Sequence, residues 1–141
     1  MPIAQEIVGQ VETFYSAYID AFNREDIDSY ADSFAPGYAL IHGGKITTYA
    51  TEAALQQYSA QAFIDLKSRG WARSAVDLLK VWPLGGEQAM ILAEVTRYRG
   101  DESVLLHARV SYIVVRTAKG WKIAAMIPIA EPFPGPGDLP R

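Results

Sequence analysis

The chain carries two histidines, His42 and His107, together with eight tyrosines, three tryptophans and no cysteine. Lack of cysteine removes disulfides, thiol nucleophiles and thiolate metal ligands at once. The histidines lie far apart, with no His-x-His or His-Glu-x-x-His, so no metal is expected unless carboxylates assemble a site that their spacing does not announce. Gly43-Gly44-Lys45 lacks the rest of a P-loop, and no Gly-x-Ser-x-Gly nucleophile elbow occurs. What is left is hydrogen-bond and proton chemistry: a phenol can donate to a developing oxyanion, and imidazole is a competent base near neutral pH.

Several residues could take part, and each has a plainer alternative. His42 precedes Gly43-Gly44 and is either a pocket residue or a strand-end histidine at a pocket mouth. Tyr18 continues an apolar helical stripe, so core packing competes with a role at a site. His107 and Arg109 are two residues apart and share one strand face, where they can meet a ligand or form a polar interface. Glu94 alternates with Met90, Leu92, Thr96 and Tyr98; an acid in such company is a ligand-binding group or half of a salt bridge. Tyr38 and Tyr58 are candidates for an aromatic pocket wall.

The elements that position these residues follow from periodicity. Ile7, Val8, Val11, Phe14, Tyr15, Tyr18, Ile19 and Phe22 recur every three or four residues and predict a first helix. Asp26 stands as an N-cap before a shorter helix with Ile27, Tyr30, Ala31 and Phe34 on its apolar side, ended by Pro36-Gly37. Tyr38 to His42 is strand-like. Thr51 caps a third helix whose buried face is Leu55, Tyr58, Ala62, Phe63 and Leu66, with Gly70 just past its end. Phe14, Phe22, Phe34 and Phe63 are all expected in the core.

Four β-rich runs follow, 71–82, 88–99, 104–116 and 121–129, separated by Pro83-Leu84-Gly85-Gly86, Gly100-Asp101-Glu102 and Lys119-Gly120. Such short breaks predict sequential antiparallel pairing, and helices followed by a meander predict an α+β fold. Long strands must twist and curl, which leaves a concave face for three helices. Residues 1–130 are expected to form one domain and 131–141 a Pro/Gly-rich tail.

Composition narrows the partners. Thirteen basic against sixteen acidic residues give a net charge of -3 with no basic run, which argues against nucleic acid. The longest uncharged apolar stretch, 123–130, is too short to span a bilayer and contains Pro128, so no membrane role is expected. No secretory signal is visible at the start, and together with the missing cysteines this predicts a cytoplasmic protein. The sheet face away from the helices reads as too apolar for water, which predicts a homodimer through the sheet.

Three local phrases add a resemblance. Phe14-Tyr15-Ser16-Ala17-Tyr18 through Asn23-Arg24-Glu25-Asp26, Tyr30 to Pro36, and Lys119-Gly120-Trp121-Lys122-Ile123 occur in the order found in the nuclear transport factor 2-like superfamily. The chain resembles that family over residues 5 to 130, including its ketosteroid isomerases and SnoaL-type polyketide cyclases. The resemblance implies a cone-shaped, cystatin-like fold, helices in the concave face of a strongly curved, mainly antiparallel sheet. It also implies a hydrophobic pocket for a small molecule. Ketosteroid isomerases bind the oxyanion with a tyrosine and a protonated aspartate, while a second aspartate moves the proton. Matching the first helix and the Ala-Pro turn puts Tyr18 at the tyrosine position and His42 at the base position. The match then breaks, because the base is His rather than Asp and 104–116 contains no acid. Two functions follow: a cofactor-independent isomerase or cyclase acting on a carbonyl compound, or a non-catalytic ligand-binding or scaffold protein.

Overall fold

The structure, a computed structural model, describes residues 4–129. Three helices, α1 (Ala4–Asn23), α2 (Ile27–Asp32) and α3 (Glu52–Ser68), pack on a mixed six-stranded sheet that is not closed. The strands are β1 (Phe34–His42), β2 (Lys45–Tyr49), β3 (Trp71–Pro83), β4 (Gln88–Arg99), β5 (Val104–Thr117) and β6 (Gly120–Ile129). Their order is β2-β1-β6-β5-β4-β3, antiparallel throughout except where β1 runs parallel to β6. This is the expected α+β, cystatin-like arrangement. The proposed tail, 131–141, lies outside the described residues.

The helix ends follow their caps. Asp26 accepts a hydrogen bond from the Ser29 amide and opens α2, while Thr51 accepts from the Ala54 amide and opens α3. Gly70, at φ +91°, takes the left-handed conformation just past the α3 C-cap. Asn23 closes α1 onto β3 by a double bond to one backbone unit. Its Nδ2 donates to the Ser74 carbonyl at 2.9 Å, and its Oδ1 accepts from the Ser74 amide at 2.8 Å.

The sequence expectation fails in one stretch. Pro36-Gly37 does not end α2, which stops at Asp32 with Ser33 as its C-cap. Both residues lie inside β1, where the register with β6 shifts between Phe34 and Ala39. A proline lacks an amide to donate, and such an irregularity is where a strand accommodates it. Lys45 to Tyr49 is a further strand, β2, folded back on β1 by Gly43 (φ +59°) and Gly44 (φ +77°). Two successive residues at positive φ make the turn type that suits a two-residue hairpin, which explains the glycine pair.

The two faces of β4 and β5 differ. Ala89, Ile91, Ala93, Val95, Val110, Tyr112 and Val114 belong to the core beneath the helices. The alternate residues, including Glu94, Thr96, His107 and Arg109, point to the convex side. The register shifts near Val76/Leu78, Arg97/Tyr98 and Ile113/Val114 are bulges of the kind that increase strand twist and bend a sheet.

Candidate functional site

A cavity of about 850 Å³ opens between the helices and the concave sheet face. Tyr15, Tyr18, Ile19 and Phe22 of α1 line it, with Tyr30 of α2 and Tyr58, Ala62, Asp65 and Leu66 of α3. The sheet contributes Leu40 and His42 at the end of β1, Val95 and Arg97 of β4, the first half of β5 with Tyr112, and Met126, Pro128 and Ile129 of β6.

Tyr18 and His42 therefore border the same cavity from different elements. The helical period that makes Tyr18 part of the α1 stripe also turns it inward, and it is only 4% exposed. Its ring stacks on Tyr30 at 5.2 Å, and the two hydroxyls lie 3.4 Å apart. His42 is exposed, at the tip of β1 beside the hairpin turn. Tyr58 lines the wall, and its hydroxyl lies 3.0 Å from that of Tyr38, which is fully buried. Tyr15 and Tyr112 form a third hydroxyl pair at 3.4 Å.

Burial sets the electrostatics of this cluster. It pushes the Tyr18 and Tyr15 hydroxyls well above their ordinary value of about 10, and neighbouring phenols push them further the same way. Tyr30, Tyr38, Tyr58 and Tyr112 are raised for the same first reason, loss of water. Every one of these phenols stays protonated at neutral pH and can donate a hydrogen bond. Arg97 opposes the rise at Tyr15, Tyr30, Tyr58 and Tyr112, so its positive charge reaches across the cluster.

The remaining sequence candidates are engaged elsewhere. Glu94 accepts from Arg109, by Nε at 3.1 Å and by Nη2 in a closer contact, and Arg109 is 1% exposed. Across the same strands the Thr96 hydroxyl donates to Asp77 at 2.5 Å and meets His107 Nδ1 at 3.0 Å. Since the one hydroxyl proton goes to Asp77, Nδ1 of His107 donates to the Thr96 oxygen. His107 and Arg109 border the cavity mouth along β5, but these side-chain bonds run across the convex face.

Sequence reasoning overlooked Arg97. Counting by twos along β4 places it after Ala89, Ile91, Ala93 and Val95, an apolar run ending in a cation. Glu94 belongs to the opposite face by the same alternation. Among the described residues no group of three or more His, Asp or Glu stands close enough to hold a metal ion, and no helix is long and apolar enough to cross a membrane.

Comparison with known proteins fixes the class. A family model described as NTF2-like protein (DUF6841) matches residues 5–131, and the chain belongs to that family. No protein of curated function matches its sequence. Among solved structures, a protein with a cystatin-like fold from Nostoc punctiforme shares 15% identity, covering 94% of this chain and 96% of its own, with a TM-score of 0.72. A putative aromatic ring hydroxylase from Novosphingobium aromaticivorans shares 21% identity over 90% of each chain, with a TM-score of 0.67. A ketosteroid isomerase-like protein from Erwinia carotovora atroseptica shares 18% identity, covering 86% of this chain and 95% of its own, with a TM-score of 0.62. At such identities the likeness shows the fold alone.

Proposed function

We propose that the protein binds a small, largely hydrophobic molecule in the concave cavity. The observation that carries this is the cavity itself: about 850 Å³, walled by tyrosines, Phe22 and aliphatic side chains, with polar and charged groups between them. Ligand sites of drug-sized molecules have that size and that composition. Five buried or half-buried phenols of its wall, held neutral, supply donors for a ligand carbonyl.

A second reading adds catalysis, and the shared wall of Tyr18 and His42 favours it. Tyr18 would donate to the oxygen of a bound ketone, and the His42 imidazole would take a proton from the adjacent carbon and return it after rearrangement. No cofactor is needed for such a transfer, because the electrons move only within the substrate. The concave wall holds one carboxylate, Asp65, on the exposed side of α3 and hydrogen-bonded to Gln61 at 2.9 Å. The base of this reading is therefore His42.

The test uses 2-tetralone, a neutral hydrophobic ketone with acidic α-hydrogens, in deuterated buffer. Saturable binding by calorimetry is expected, and the wild-type protein is expected to accelerate α-hydrogen exchange. His42→Ala and Tyr18→Phe should each reduce that acceleration about 100-fold. Equal exchange in all three proteins refutes catalysis and leaves binding. Failure of 2-tetralone and of other hydrophobic probes to bind refutes the cavity as a ligand site.

A further inference from the structure

Arg97 is a half-buried cation on the cavity wall that stands in no salt bridge among the described residues. It lies on the concave face of β4, with its guanidinium carbon 5.8 Å from the centre of the Phe22 ring. Its Nε is buried and has no hydrogen-bond partner. A donor cut off from water with no acceptor is costly, and proteins ordinarily pair it. Here the Phe22 ring offers only partial compensation through its π-face.

The surrounding charges do not answer it. The cavity wall holds Arg69 and Arg97 against the single carboxylate of Asp65, while the charge of Arg109 is met by Glu94. A chain with net charge -3 thus lines its cavity with an excess of positive charge. Concave, low-dielectric walls concentrate such a field on whatever enters. The phenols near Arg97 add neutral donors and no competing anion.

We propose that the cavity is built for an organic carboxylate: a hydrophobic, preferably aromatic body against Phe22 and the tyrosines, with its carboxylate on the Arg97 guanidinium. This rests on the reading of the cavity as a small-molecule site and narrows it to one ligand class. Guanidinium presents a planar fork that matches a carboxylate in two parallel hydrogen bonds, which a lysine cannot reproduce. An apolar body gains from the aromatic wall, so the two halves of the ligand are recognised by different parts of the site.

The experiment compares 2-naphthoate with 2-naphthamide, nearly the same shape without the charge, by titration calorimetry on the full chain. The wild-type protein is expected to prefer the carboxylate by about 10- to 100-fold. Arg97→Met keeps the volume and removes the charge; it should abolish the preference, with naphthoate losing far more affinity than naphthamide. Arg97→Lys, which keeps the charge in place of the fork, should retain only part of it. Thermal unfolding without ligand separates a structural role: Arg97→Met should be as stable as wild type or more so. A fall in its Tm of more than about 5 °C, or an unfolded variant, assigns Arg97 to the framework and overturns the proposal. If naphthamide binds as tightly as naphthoate in the wild type, the carboxylate class is refuted and the cavity reading stands. If neither binds while 2-tetralone does, the carboxylate class is again refuted; if none of the three binds, both readings fall.

Discussion

Arg97 and Arg109 stand on neighbouring strands of one sheet and have opposite surroundings. Arg109, on the convex side, is nearly inaccessible and is held by Glu94 directly across the ladder. Beside that pair Asp77, Thr96 and His107 form a closed relay. The convex side thus answers Arg109 with a carboxylate at Nε and Nη2. On the concave side Arg97 faces phenols and an aromatic ring, with a buried Nε lacking a partner. The contrast separates a cation paired with an acid inside the framework from one proposed to meet its complement in a ligand. Glu94, which the sequence leaves as a ligand-binding group or half of a salt bridge, here pairs with Arg109.

The largest effects should come from the aromatic packing beneath the concave wall. Phe22, Phe34 and Phe63 are 6%, 2% and 4% exposed and meet one another through Tyr30. Truncation of any of them to alanine should cost about 3–5 kcal/mol in urea or thermal unfolding. Phe14, expected in the same core, is only half-buried at its edge, and Phe14→Ala should cost clearly less. Equal losses at all four would mean that the wall of the cavity and the core are one undivided layer.

Breaking the convex pair comes next. Glu94→Ala leaves Arg109 with one fewer charged acceptor in a nearly inaccessible place, and about 1.5–3 kcal/mol of stability should be lost. Glu94 retains some exposure, which keeps the figure below that of a fully buried pair. Arg97→Met on the other face should lose nothing. If both variants lose the same stability, measured by the same unfolding assay, the division between framework cation and ligand cation fails.

How far the sequence reveals these regions depends on how locally each is encoded. The strands β3 to β6 are legible because β-branched and aromatic runs are cut by Pro83-Leu84-Gly85-Gly86, Gly100-Asp101-Glu102 and Gly120, all cues within a few residues. β1 and β2 are harder. Pro36-Gly37 ordinarily ends an element, and only pairing with the distant β6 turns it into a strand irregularity. The glycine pair at 43–44 is a local hairpin signal that predicts β2, provided the short Lys45–Tyr49 segment is weighed as a strand. Tyr18 and His42 can be brought to one place only through a resemblance covering the whole chain. Arg97 is marked by strand alternation, but that it stands in no salt bridge among the described residues is a fact about every neighbouring element at once, and no local pattern states it.

The finest test of the concave region is its response to alkali. Burial raises the hydroxyls of Tyr15, Tyr18, Tyr30, Tyr38 and Tyr112 in the folded state, while the same groups in the unfolded chain ionise near 10. Below pH 10 both states keep these protons, and the groups contribute no pH dependence. Above it the unfolded chain releases protons that the folded chain retains, so folding stability must fall as pH rises. Each such phenol should add about 1.4 kcal/mol of loss per pH unit beyond that point. Tyr18→Phe removes one of them. Its unfolding free energy, followed by urea titration between pH 10 and 11.5, should decline less steeply than that of the wild type by about that slope. At pH 7 the two proteins should differ little, because the hydroxyl gives up only a long contact to Tyr30 at 3.4 Å. Identical slopes for wild type and Tyr18→Phe would mean that the Tyr18 hydroxyl reaches water through the cavity. In that case the concave wall would be wet at the position where a ligand carbonyl is proposed to bind.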